Sequence, residues 1–267
     1  MGGGSSTSNE TKHPKDTVIL HQIGRGPYAP SLIPFAMKLE TYLRMAKIPY
    51  QNAHSLKTSS KGKWPWIEFN GQALADSGFI IKFLNKHFNV NLNANLSEEE
   101  KAAAHAIRRM VEENTYWSDF LLSLKYIDRS GFLTRWVYDK DLVAIPYYGI
   151  PKPIGWVISK SMKKRAVAHG IGRHTKEEVY EIMREDYTAL SKFLGNKQFL
   201  LGDRPCEEDC AIFGYLAQAY WHGFGQEPET ALKEFPNLCS YCERMKNTFW
   251  PDWEECNTDG GKRTATK

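Results

Sequence analysis

No stretch of about 20 apolar residues occurs in the chain, so no segment is long enough to cross a bilayer as a helix. The first residues also lack the apolar core of a secretory signal. Cysteine is missing until residue 206, after which there are five: Cys206, Cys210, Cys239, Cys242 and Cys256. An odd number without a secretory leader reads as free thiols in a reduced, cytoplasmic protein. Cys239 and Cys242 have CxxC spacing, but no second CxxC or nearby His pair completes a zinc set, and no metal is expected. They lie in LCSYCERM, which reads as a helix burying both thiols on one face. An excess of one charge is also absent. Lys and Arg total 35 against 31 Asp and Glu, the signs are interspersed, and the net charge is +4. That balance argues against a nucleic-acid binder, and the densest basic cluster, KSMKKR at 160–165, reads as a solvated helix face. There is no internal repeat. The most apolar stretch, LVAIPYYGIPKPIGWVI at 142–158, holds three prolines and a lysine. It reads as a loop with short helical pieces, and membrane contact through Tyr147, Tyr148 and Trp156 is the weaker alternative.

The chain does contain two unlike halves. Residues 1–16 are Gly-, Ser-, Thr- and Asn-rich and are expected to be a disordered leader. Gly2 and Ser6 fit the N-myristoylation pattern, with a plain flexible leader as the alternative reading. Membrane contact would then be through the N-terminus and only if Gly2 is lipidated, a single acyl chain holding weakly. TVILHQI at 17–23 predicts a strand. Phe35, Leu39, Tyr42, Leu43 and Ala46 form an apolar stripe on a helix from about Pro34 to Ala46. IPYQNAHS at 48–55 predicts a second strand. WPWIEFNGQAL predicts two strands joined by an Asn70-Gly71 hairpin turn. Asp76 or Ser77 caps a further helix, with Phe79, Ile80, Phe83 and Leu84 expected on its inner face. This β-α-β-β-β-α order over 17–88 is the layout of a thioredoxin-like domain, in which Pro65 would be the cis proline at the ligand site. From about residue 97 the pattern is helical throughout. Capping boxes at Ser97–Glu100 and Thr175–Glu178 open helices to about Lys125 and Leu194. Two more run from Asp209 and from Asn237 to Trp250, so residues 97–255 predict an all-helical domain, and 256–267 are expected to be a disordered tail. The fold class is α+β.

A thioredoxin-like domain followed by an all-helical one resembles the cytosolic glutathione transferases. Two strings carry that superfamily's local patterns: WPWIEFNGQALADSGFIIKFL and FLLGDRPCEEDCAIFGYLAQ. Within it, LETYLRMAKIPYQN, HGIGRHTKEEVY and YCERMKNTFWPDW resemble the failed axon connections family, which is related to the metaxins. The likeness covers nearly all of residues 17–255.

The resemblance implies glutathione as substrate or ligand, with no metal. Asp76 and Ser77 would hold its γ-glutamyl end, through an acid for the ammonium and a helix N-terminus for the carboxylate. Trp64, before Pro65, would pair with the ligand backbone, and Lys61 or Lys63 would meet the glycyl carboxylate. Plain helix capping would select Asp76-Ser77 equally well. Tyr116, Trp117 and Phe120 are candidates for an apolar pocket beside it, for a small apolar second ligand.

The chain departs from the family at the thiol. The resemblance implies Ser-Pro-Phe-Cys at a turn where this chain reads Ile33-Pro34-Phe35-Ala36. A transferase must stabilise a thiolate, and a Ser, Tyr or Cys at a helix N-terminus does so; Ile and Ala cannot. Ser31 and Tyr28 are the candidate catalytic substitutes, and Arg25 is a nearby source of positive charge. Two functions therefore stand. One is a glutathione-binding protein with weak or no transferase activity. The other is a non-enzymatic adaptor working through protein or membrane contacts. The resemblance also implies a homodimer, an interface that the insertion around 130–172 would block.

Overall fold

The computed structural model describes residues 14–122, 152–222, 227–259 and 263–267. Four strands form one mixed sheet: β1 (Val18–Gln22), β2 (Tyr50–His54), β3 (Trp66–Phe69) and β4 (Gln72–Ala75), in the order β2-β1-β3-β4. The β1–β2 pair is parallel, joined through helix α1 (Pro34–Met45), and the other two pairs are antiparallel. Asn70 and Gly71 both take positive φ, 46° and 82°, as a tight hairpin between β3 and β4 requires. Helix α2 (Ser77–Phe88) closes the domain. The fold is thus a thioredoxin-like domain followed by helices.

The helical part begins with α3 (Glu98–Met110), whose Ser97–Glu100 capping box is formed in both directions. It does not run on as a single α-helix. A π-helical turn at Val111–Thr115 intervenes before α4 (Tyr116–Leu121), and the rest of the expected helix to Lys125 lies outside the described residues. Then come α5 (Lys152–His169), α6 (Lys176–Leu194), α7 (Glu207–His222), α8 (Glu227–Lys233) and α9 (Pro236–Phe249). The Thr175–Glu178 box that opens α6 is also complete.

The structure corrects several sequence expectations. Of the stretch 142–158, read as a loop with short helical pieces, 142–151 lie outside the described residues and 152–158 are the start of the long helix α5, with Pro153 in its first turn, where the missing N–H costs nothing. Helix α1 is buried around most of its circumference, not along one stripe, because the sheet covers one side and α7 the other. The buried face of α2 is Ser77, Ile80, Ile81 and Leu84. At 3.6 residues per turn Phe79 falls on the opposite side, and it is 61% exposed. Cys242 is fully buried but Cys239 is only half-buried. The 256–267 stretch is no loose tail in its described part. Cys256 and Asn257 are buried, and Thr258 N–H donates to Gly26 O at 3.0 Å. Trp250 Nε1 donates to Thr41 at 3.1 Å, and Arg44 pairs with Asp252 at 2.6 Å. Of the leader, Asp16 N–H donates to Asn70 Oδ1 at 2.9 Å.

The two parts meet along α1 and α7. A Cβ on Gly214 would stand 2.8 Å from both Lys38 N and Pro34 O, so the absent side chain sets the closeness of the two helices. Asp209, fully buried near the start of α7, accepts from Leu200 N–H, Cys206 N–H and the Tyr241 hydroxyl at 2.9, 2.7 and 2.8 Å. The weak cap offered by Cys206 is therefore compensated by a carboxylate reaching back to its N–H.

Candidate functional site

Sheet register decides which residues meet. Trp66 stands opposite Ala75 in the β3–β4 hairpin, so Trp64-Pro65 and Asp76-Ser77 flank the same end of it. His21 near the end of β1 stands opposite Trp66, so the loop from β1 to α1 leaves from that end too. Three separate pieces of sequence thus gather at one edge of the sheet.

The Trp64–Pro65 peptide is cis, as the sequence pattern implied. The indole Nε1 of Trp64 is buried with no hydrogen-bond partner among the described residues. Asp76 is the N-cap of α2, and its Oδ1 accepts from Gly78 N–H at 3.0 Å and Phe79 N–H at 3.3 Å. It holds φ at 81°, a region that costs a non-glycine residue about 1–3 kcal/mol. Ser77 follows as the first residue of the helix and is 6% exposed. Capping by Asp76 leaves the Ser77 hydroxyl without a hydrogen bond to any described residue. Lys61 Nζ lies 5.0 Å from the Phe79 ring, which brings it to the first turn of α2. Lys63 is exposed in the same loop, one residue before Trp64.

The thiol position is apolar in space as well as in sequence. Ile33 is the N-cap of α1 and offers no side-chain hydrogen bond. Ala36 N–H and Met37 N–H both turn back to Ile33 O at 3.0 Å, and Pro34 has no N–H. Ala36 is completely buried. Phe35 faces Tyr116 and Tyr215 edge-on, with ring centroids 5.3 and 5.4 Å away. Trp117 and Phe120 continue that cluster from Tyr116, and His169 stacks on Trp117 at 5.0 Å. Tyr116 is therefore brought beside the first turn of α1, with Trp117 and Phe120 packed on it.

The substitutes for the missing hydroxyl are placed differently from one another. Ser31 is fully buried; its Oγ accepts from Ile33 N–H at 3.3 Å, a local turn bond. Tyr28 is 38% exposed, and its backbone is fixed at both ends, N–H to His222 Nε2 at 3.3 Å and carbonyl to Trp253 Nε1 at 3.2 Å. Arg25 is neither surface nor a spare charge. It is buried and makes a two-pronged pair with Glu40, at 2.8 and 2.9 Å. Gln22, Asn52 and Tyr50 also donate to that carboxylate, at 2.8, 2.9 and 3.1 Å. Burial opposes the Glu40 charge, but Arg25 and the amide donors overcome it and hold the carboxyl down to about 2. Arg25 is held charged by the same contact.

One feature went unread in the sequence. Gly214, Gln218 and His222 recur every fourth residue along α7 and lie against the loop and α1. Gln218 Nε2 donates to Ser31 O at 3.1 Å. His222 Nε2 accepts from Ala29 N–H at 3.1 Å as well as from Tyr28 N–H. Since Nε2 accepts, the ring proton sits on Nδ1 and donates to Gln218 Oε1 at 3.2 Å. Desolvation under the loop lowers the His222 pKa to about 3, so the ring is neutral. Polar residues at i, i+4 in an otherwise apolar helix were the available signal.

A family model described as glutathione S-transferase N-terminal domain matches residues 34–128, and one for the glutathione S-transferase C-terminal domain matches 183–245. The failed axon connections protein of Drosophila melanogaster is 32% identical over 94% of the chain, which spans 62% of that relative's length. An isoprene-epoxide glutathione S-transferase of a Rhodococcus strain is 29% identical over 82% of the chain and 94% of its own length. Metaxin-2 of Mus musculus is 24% identical, covering 82% of both. Among solved structures, a glutathione S-transferase from Methylobacterium radiotolerans, in complex with glutathione sulfonate, aligns with TM-score 0.56 at 16% identity, over 87% of this chain and 91% of that one.

Proposed function

From a chain that belongs to the glutathione transferase superfamily, beside the failed axon connections protein and the metaxins, we propose a glutathione-binding protein with little or no transferase activity. The observation that carries this reading is a split in the site. The part that would hold the ligand is kept: Trp64 before the cis Pro65, Asp76, and a Ser77 hydroxyl that no described residue engages, at one end of the β3–β4 hairpin. The part that would activate its thiol is not: Ile33 and Ala36 are apolar, Ser31 is closed into its own turn, and the Arg25 charge is matched by Glu40. Glutathione is the ligand that the isoprene-epoxide relative's name supports. Tyr116, Trp117 and Phe120, against Phe35, would receive a small apolar ligand beside it. The residual field at the thiol comes from the first turn of α1, with Tyr28 and Ser31 as the remaining hydroxyls.

The test is calorimetric titration of glutathione into wild type and Ser77→Ala, with a conjugation assay on a general aryl halide. The reading expects millimolar-to-micromolar binding, weakened in the variant, and turnover near the uncatalysed rate. Rapid turnover would refute the inactive half, and no heat at millimolar glutathione would refute the binding half. A second reading is favoured by the name of an Arabidopsis thaliana relative, a mitochondrial outer membrane import complex protein: an adaptor that uses this fold to contact a protein partner or a membrane from the cytoplasmic side, anchored through Gly2 if that residue is acylated. Mass analysis of the protein isolated from its own cells would test Gly2, which lies outside the described residues.

A further inference from the structure

We propose that the loop between β2 and β3, together with the outer face of α2, is a docking surface for an anionic lipid bilayer. Residues 55–88 contain five lysines against two acids. Lys57, Lys61, Lys63, Lys82 and Lys86 are all exposed, and none forms a salt bridge with a described residue. The two acids lie within the fold, Asp76 capping α2 and Glu68 3.4 Å from His21. Five lysines against two acids leave this segment an excess of positive charge. Apolar groups stand within it. Of the four large apolar side chains exposed among the described residues, two are here, Phe79 at 61% and Leu56 at 47%. Phe79 is bracketed by cations, with Lys61 Nζ 5.0 Å and Lys82 Nζ 5.9 Å from the ring centroid. Along α2, Phe79, Lys82 and Lys86 follow at i, i+3 and i+7, one stripe facing solvent.

The arrangement suits a bilayer better than other partners. Ammonium groups meet the anionic headgroups while an aromatic ring enters the interfacial layer between them. A second copy presenting the same patch would bring like charges together. A folded acidic partner needs an apolar centre within about 1,000 Å² or more of interface, and one ring with one leucine does not supply it. The surface works on the unmodified chain; it shares Lys61 and Lys63 with the lysines offered to a glycyl carboxylate, so vesicle binding is measured without glutathione.

The test is co-sedimentation of the whole unacylated protein with phosphatidylcholine vesicles, with and without about 30 mol% phosphatidylserine. Binding is expected only with phosphatidylserine, and is expected to weaken from low to high salt. With about 1 kcal/mol per lysine near such a surface, Lys61→Gln/Lys82→Gln is expected to lose about 20-fold or more in affinity. The charge-matched pair Lys192→Gln/Lys233→Gln, on the helical part, is expected to lose little. Phe79→Ser is expected to weaken binding with net charge unchanged. All are exposed positions, and a thermal melt checks each fold. The proposal is overturned if the wild type ignores anionic vesicles at low salt, if the control pair weakens binding equally, or if Phe79→Ser binds as wild type does. Capture by soluble polyglutamate without vesicle binding would reassign the patch to an acidic protein.

Discussion

Glu40 is the single side chain on which most of the site's rigidity converges. It is fully buried and takes hydrogen bonds from Arg25, Gln22, Asn52 and Tyr50. Glu40→Gln leaves the Arg25 guanidinium buried without its counter-ion, a loss of about 3–5 kcal/mol. Chemical denaturation is expected to show that loss, along with a lowered melting temperature. Because the folded pKa of Glu40 is depressed to about 2, its contribution is present above the unfolded carboxylate value near 4.3 and disappears as pH falls toward 2. His222 acts in the same direction by the opposite chemistry. It is neutral in the fold with a pKa near 3, while the unfolded imidazole titrates near 6.5. Its share of stability is whole above about pH 6.5 and falls by up to about 1.4 kcal/mol per pH unit below it. In His222→Gln, the slope of stability against pH between 6.5 and 4 is expected to flatten. An unchanged slope would show that the ring is not held neutral by the loop.

At the scale of elements, α1 and α7 fix the loop on which the thiol position lies. Gly214→Ala places a methyl 2.8 Å from the α1 backbone at Pro34 O and Lys38 N, where neither neighbour is a flexible side-chain end. The two helices must separate, at a cost of about 1–3 kcal/mol, and urea unfolding is the check. Thr175→Ala removes one half of the α6 capping box and is expected to cost about 1 kcal/mol by the same measurement. Capping and turn chemistry were the most legible part of the sequence: Ser97, Thr175 and Asn70-Gly71 do what their residue types dictate. Periodicity was less sufficient. It read α1 as having one buried stripe because a pattern cannot show that two domains cover both sides, and it placed Phe79 inside α2 because Phe79 is apolar, whereas the buried arc is Ser77, Ile80, Ile81 and Leu84. The contacts of Gln218 and His222 with the loop at 28–31 and the Arg25–Glu40 pair, 15 residues apart, are made only by the fold.

For the molecule as a whole, the edge proposed to hold the ligand and the turn of Ile33 and Ala36 differ in chemistry while remaining adjacent in space. The absence at the turn is readable from Ile33 and Ala36 alone; the burial of Ser31 in its own turn and the pairing of Arg25 with Glu40 required the structure. If the missing donor is what limits turnover, restoring it is expected to restore activity. Ile33→Ser returns a hydroxyl to the N-cap of α1 and is expected to raise the conjugation rate at least 10-fold, within the range that one well-placed hydrogen-bond donor contributes. The central claim, that this fold keeps a place for glutathione, is tested most directly by titrating glutathione into the wild-type protein by calorimetry beside Ser77→Ala. The account predicts saturable heat with a dissociation constant in the micromolar-to-millimolar range, weakened in the variant. A folded protein that gives no heat at millimolar glutathione, or a variant that binds as tightly as wild type, would contradict it.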